Sequence, residues 1–292
     1  RYTSLNMLGM IGISCYILAD TFFVSLGTGA LGLAALNIAI PAFNLLNGLG
    51  LMTGVGGATQ FSICRAQKDT HGADRAFTHA VYLGLGIGVL FLLLGIFGAA
   101  PLARLLGADP ETFPLTSVYL RTLLSFSPFF VMNNVLLAFV RNDGDPGRAM
   151  RGMVIGSLSN IVFDYLFIFP LGMGMFGAAL ATGVSPIISI LLQIGHLRNP
   201  SRGFHLLRIR PQVRALPALC APGLSSLIGE ASSGVVLLLF NLILLRLTGN
   251  TGVAAYGIIA NLALVAIAIF QGLSTGMQPL VSCSSGEGDH AA

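Results

Sequence analysis

Asn160 and Asp164 stand four residues apart in the string Ser159-Asn160-Ile161-Val162-Phe163-Asp164-Tyr165-Leu166-Phe167-Ile168-Phe169, which is otherwise largely apolar. Four residues make about one helical turn, so the amide and the acid share one helix face. A second acid, Asp20, and a threonine, Thr182, lie in other apolar stretches. Carboxylate, amide carbonyl and hydroxyl are hard oxygen donors, suited to Na⁺ or to proton exchange. Two carboxylates brought together cannot both ionise cheaply in a low dielectric, so such a pair shares a proton or holds a cation. It couples an ion gradient to a conformational change when the ion binds two states with different affinity.

The elements that position these groups follow from composition. Of 292 residues, 54% are hydrophobic and 9% charged, against about 25% charged in a soluble domain. Successive apolar segments of about 20 residues or more predict an all-α polytopic membrane protein. The segments run over 5–26, 34–64, 78–100, 115–140, 153–169, 176–197, 216–245 and 253–281. The piece 101–114 is expected to be a loop with a short amphipathic turn, and 282–292 a polar tail. An ionisable group inside such a segment is costly and marks an ion or substrate path by default.

The charge distribution excludes a nucleic-acid partner. Twelve of the fifteen Lys and Arg fall at the N-terminus and in alternate gaps, and five of them (Arg198, Arg202, Arg208, Arg210, Arg214) in the linker 198–215. That is the positive-inside pattern, which puts the N-terminus and the linker in the cytoplasm. Cys15, Cys64, Cys220 and Cys283 are widely spaced, without a disulfide framework or metal spacing, and the three in or at the edge of apolar segments read as small core residues.

Helix rise converts position into depth. Asp20 falls about 7 Å outward of the middle of its segment, Asp164 about 5 Å and Thr182 about 7 Å, with Asn160 a turn deeper. Independent helices thus bring acid, acid and hydroxyl to one level. The bland reading is that a lone polar side chain in a membrane helix is glue, worth about 0.6 kcal/mol; Asn160 and Thr182 fit either role. Glu230 in the seventh segment is a second acidic candidate, and Arg121 in the fourth suits an interfacial snorkeller. Asn37, Asn133, Asn134, Gln271 and Gln278 are candidate cavity linings.

The chain also repeats. A shift of 220 residues aligns Gly32 with Gly252, Ala34 with Ala254, Ala35 with Ala255, Ile38 with Ile258, Gly56 with Gly276 and Ser62 with Ser282. Six crossings separate the second and eighth segments, so the two run in the same direction. A parallel six-helix repeat is a known transporter plan with its site between or within the repeats. Residues 1–197 then form one lobe of six helices and 216–292 the first two helices of a second. The chain is expected to be part of a longer protein.

With these motifs in place, the sequence resembles the multidrug and toxic compound extrusion (MATE) transporters of prokaryotic, DinF- and MepA-like type. The resemblance rests on Ala19-Asp20-Thr21-Phe22-Phe23-Val24, Gly54-Val55-Gly56-Gly57-Ala58, the 159–164 string, Gly177-Ala178-Ala179-Leu180-Ala181-Thr182 and Gly276-Met277-Gln278-Pro279-Leu280-Val281-Ser282. It implies two six-helix lobes that rock to export organic cations and hydrophobic drugs against H⁺ or Na⁺, without a cofactor. It implies that Asp20, Asn160, Asp164 and Thr182 form the coupling-ion site and that Glu230 matches an acid used in some relatives. A monomer in a prokaryotic plasma membrane, with drug and lipid as partners, follows from the same likeness. One departure stands out: the family often has an early proline in helix one, and Leu5 occupies the corresponding place, with Gly9 and Gly12 as other hinge points.

Two other functions compete. A flippase of lipid-linked or polysaccharide intermediates would line its cavity with Arg and Lys for phosphate, whereas the apolar segments hold little beyond Arg121. An intramembrane aspartyl protease needs a GxGD inside a helix, and Asn142-Asp143-Gly144-Asp145 lies in a turn. Neither HExxH nor a Walker lysine is present.

Overall fold

The computed structural model describes residues 2–199, 202–210 and 215–287, with side chains from residue 18 onward except at 261, 264–266, 268–269, 271–272, 275–276 and beyond 277. The order is α1 (Tyr2–Ala66), α2 (Thr70–Leu105), α3 (Phe113–Ser125), α4 (Ser127–Asn142), α5 (Pro146–Ile168), α6 (Gly174–Leu197), α7 (Leu216–Cys220), a 3₁₀ turn (Ala221–Gly223) and α8 (Leu224–Glu287). Strands are absent among the described residues.

Straight, the 65 residues of α1 would span about 98 Å at 1.5 Å each, three times the hydrocarbon thickness of about 30 Å. Gly29 resolves this. Its φ of 71° and ψ of −167° break the helical path and divide α1 into two helical arms, a conformation favouring glycine. Gly249 in α8 has φ 69° and ψ −160°, the same conformation. These positions lie 220 residues apart, the shift of the sequence repeat. The preceding threonines also correspond: Thr28 Oγ1 donates to Val24 O at 2.7 Å and Thr248 Oγ1 to Leu244 O at 3.0 Å.

Counted by length and composition among the described residues, five helices are apolar enough to cross a membrane, and six if α3 and α4 make one bent span. The sequence predicts a single span over 115–140. Instead α3 and α4 meet at 49° around Phe126, because Pro128 has no N–H to continue the ladder. The single Ser127 hydroxyl hydrogen is shared between Leu124 O of α3 at 2.6 Å and Gly88 O of α2 at 2.8 Å. In the other direction, α2 runs past Pro101 to Leu105, into the stretch expected to be a loop, and α8 continues to Glu287, into the expected polar tail. The outer flank of α2 presents Leu90, Leu93 and Phe97 at 63%, 47% and 80% exposure, an apolar belt suited to lipid rather than water.

One end of the bundle gathers the basic residues, and there the linker is docked rather than free. Phe204 is fully buried, its ring centroid 4.5 Å from Phe77, 5.5 Å from Phe139 and 5.7 Å from Phe61. Beside it, Asp143 accepts from Gly203 N–H at 2.9 Å and pairs with His196 Nε2 at 2.8 Å and with Arg65. His205 N–H donates to Asp74 Oδ1 at 2.6 Å, and Leu207 N–H to Thr78 Oγ1 at 3.0 Å. Helices α5 and α6 close the site from one side, and Gly152 and Gly156 of α5 let Ser185 and Ser189 of α6 approach its backbone.

Candidate functional site

The first arm of α1 supplies Asp20, 7% exposed; α5 supplies Asn160 and Asp164, both fully buried; α6 supplies Thr182, 6% exposed. The structure thus brings these four residues from three helices into one buried region. The depths derived from helix rise anticipated that convergence. Two aromatic contacts hold α1 against α5 beside the acids: Phe23 packs 6.3 Å from Tyr165 and 6.0 Å from Phe169, centroid to centroid.

Asn160 has one amide orientation that satisfies both neighbours. Its Nδ2 donates to Asp164 Oδ2 at 3.1 Å while its Oδ1 accepts from Thr182 N–H at 3.2 Å. The opposite orientation offers only Nδ2 to Thr182 Oγ1 at 3.4 Å, and leaves an oxygen facing the carboxylate. Thr182 Oγ1 itself donates to Ala178 O at 3.1 Å. One oxygen of each acid, Asp20 Oδ1 and Asp164 Oδ1, is buried without a hydrogen-bond partner. The carboxylates lie close enough for the charge of Asp20 to act on Asp164. Buried acids with free oxygens require a proton or a cation, because unpaired charge at such a place is very costly. Among the described residues there is no cluster of three His, Cys, Asp or Glu side chains to hold a metal.

The remaining candidates lie elsewhere. Asn37 is fully buried in the seam between α1 and α8; its Nδ2 donates to Val253 O at 3.4 Å and its carbonyl accepts from Asn241 Nδ2 at 2.9 Å. Glu230 rests its side-chain stem on α1 at Gly48. Asn134 Nδ2 donates to Asn47 Oδ1 at 3.0 Å, and Asn133 Oδ1 accepts from Gln193 Nε2 at 3.3 Å. The side chains of Gln271 and Gln278 lie outside the described residues. Gln193 and Ser189 do not figure in the sequence reading, although their spacing from Thr182 places them on its helix face. The string Gly272-Leu273-Ser274-Thr275-Gly276 has the spelling of a nucleophile elbow, but it runs inside α8, where the strand-to-helix turn that motif needs is absent.

Bent helices, a lipid-facing apolar belt and an acid pair buried between the first and fifth spans define a polytopic helical membrane protein with an intramembrane ionisable site. A family model described as MatE matches residues 6–166, more than half the chain, and the protein belongs to that family. The Multidrug export protein MepA of Staphylococcus saprophyticus subsp. saprophyticus is 31% identical over 278 residues, covering 94% of this chain and 61% of its own length. A solved structure of a relative titled as the MATE multidrug transporter DinF-BH superposes with a TM-score of 0.91 at 25% identity, covering 98% of this chain and 64% of that one. Another, titled as an outward-facing multidrug resistance MATE family transporter, gives 0.86 at 29% identity, with 99% and 64% covered. The chain thus spans less than two thirds of the length of these relatives.

Proposed function

We propose that this chain forms the N-terminal lobe, the basic linker and the beginning of the second lobe of a cation-coupled multidrug exporter. The observation that carries the reading is the buried acid pair, Asp20 and Asp164, flanked by Asn160 and Thr182. Occupation of that pair by an ion from one side of the membrane and its release to the other bias two orientations of the lobes. The coupling ion is H⁺ or Na⁺, and the Asn160 geometry favours H⁺: the amide gives Asp164 an N–H rather than a further oxygen. Cargo is an organic cation or hydrophobic drug, in keeping with the multidrug export for which the relatives are named and with the scarcity of basic residues within the spans. The basic end faces the cytoplasm of a prokaryotic cell, and a single copy suffices.

Ethidium efflux from energised or inverted vesicles tests this, using the protein expressed from its complete gene. Na⁺ and pH gradients are imposed separately, with Asp20→Asn and Asp164→Asn alongside. Export driven by one gradient and lost in both variants, at unchanged expression, is the expected result. Unaltered export in Asp164→Asn would remove the acid pair from the mechanism, and silence under both gradients would turn the search to lipid-linked cargo.

A further inference from the structure

One face of α6 carries a polar side chain at nearly every turn below the acid pair: Thr182, Ser185, Ser189, Gln193 and His196. Spacings of 3, 4, 4 and 3 keep them aligned along the helix, although the rest of α6 is largely apolar. The file runs about 21 Å, at 1.5 Å per residue, from the acid pair to the basic end. Thr182 is 6% exposed, Ser189 2%, Gln193 0% and His196 6%.

Contacts knit the file together. Asn160 joins Asp164 to Thr182. Ser185 Oγ donates to Gly156 O at 2.6 Å. Gln193 Nε2 lies 3.4 Å from Ser189 Oγ and 3.3 Å from Asn133 Oδ1 of α4. At the far end, His196 Nε2 pairs with Asp143 at 2.8 Å, and its Nδ1 lies 3.5 Å from Asp145, with Arg65, Arg148 and Arg202 around them. Packing alone explains Thr182 bonded back to Ala178 O and Ser185 bonded across to Gly156 O. It does not explain Gln193, which is fully buried with its Oε1 lacking any hydrogen-bond partner. A buried acceptor of that kind costs about 1–3 kcal/mol, and a polar file is where water offsets the cost.

We infer that the α5–α6 seam is the route by which the coupling proton passes between the acid pair and the basic end of the protein. This rests on the proton-coupled reading of the acid pair. Successive polar groups are separated by about 4.5–6 Å along the axis. A single water bonded to both neighbours at about 2.8 Å spans up to about 5.6 Å, which covers the steps of about 4.5 Å. Gln193 Nε2 and Ser189 Oγ already lie 3.4 Å apart, and the step of about 6 Å from Ser185 to Ser189 takes two waters. A proton leaving the Asp164 carboxyl regenerates the carboxylate and moves along that water chain from one oxygen to the next, reaching solvent beside His196. Gln193 is a positioning residue: its amide ties α6 to α4 and its free oxygen orients the water between Ser189 and His196.

The test uses the complete gene product in proteoliposomes. Ethidium export driven by a pH gradient requires net proton movement; exchange of labelled for unlabelled ethidium does not. Gln193→Leu is expected to slow gradient-driven export at least tenfold while exchange stays within about twofold, and Gln193→Glu to restore export. Ser189→Ala, which removes one hydroxyl and should fold, is expected to slow export in the same selective way. Export and exchange falling together, or export unchanged in both variants, would overturn the route while leaving the exporter intact. A wild type that ignores the pH gradient would instead overturn the proton-coupled reading, and the route with it.

Discussion

In the amide orientation that satisfies both of its neighbours, Asn160 offers its nitrogen to Asp164 and its oxygen to the Thr182 N–H at 3.2 Å. A donor beside a carboxylate stabilises negative charge without adding a ligand for a metal cation. Asp20 Oδ1 and Asp164 Oδ1 remain buried without hydrogen-bond partners, open to a proton or a cation.

Replacing Asn160 should separate these roles. Asn160→Leu leaves the buried Asp164 without its donor, a loss of about 1–3 kcal/mol, and export is expected to fall roughly 10- to 100-fold with expression maintained. Asn160→Asp supplies extra oxygens and should bring Na⁺ dependence to a pH-driven exporter. Efflux measured under each gradient decides, and a Leu variant that exports at the wild-type rate would remove Asn160 from the site.

Phe204 ties the linker to the first lobe through Phe61, Phe77 and Phe139. Truncation of a buried phenylalanine costs about 3–5 kcal/mol. Phe204→Ala should therefore free the linker and speed trypsin cleavage at Arg202 and Arg208, with Phe204→Leu restoring part of the protection. Cleavage at the wild-type rate in the alanine variant would mean that the docking contributes little.

At the opposite end, Asp109 joins the α2–α3 loop to the α8 bend. Partial burial pushes its carboxyl up, but the Thr112 N–H and hydroxyl and the Asn250 amide outweigh this and hold it below the usual range. The bonds measure 2.9, 2.7 and 2.9 Å. A depressed carboxyl contributes stability above the unfolded value of about 3.9 and loses it as pH falls through the folded value. Thermal melting from pH 6 down to pH 3 should show Asp109→Asn less stable than wild type near neutrality and equal to it at the acid end. A difference that does not change with pH would argue against this account.

The acid pair was legible in the sequence because a carboxylate inside an apolar run is conspicuous, and because helix rise fixes depth without knowledge of packing. Asp20, Asp164 and Thr182 needed nothing else to be placed at one level. The docked linker was not legible: Phe204 and Asp143 are 61 residues apart, and a single phenylalanine among arginines carries no periodic signal. The break between α3 and α4 follows from Pro128 but is masked because 115–140 as a whole is long and apolar enough to read as one span. Gln193 was within reach, since its spacing from Thr182 is helical, but an amide near a helix end attracts less notice than an acid at its centre.

Asn37 meets Gly257 across the seam between α1 and α8; a Cβ on Gly257 would collide with the Asn37 amide. Under the 220-residue shift, 257 is the counterpart of 37, so one position touches its own equivalent. In an assembly of two like units, that happens only on the two-fold axis. The seam therefore has the form of a symmetric dimer interface inherited within a single chain, as duplication and fusion of a gene for one self-associating lobe would leave it. The asparagine fills, from one half, the space that the glycine at its counterpart leaves open, so bulk at this point can come from one half only.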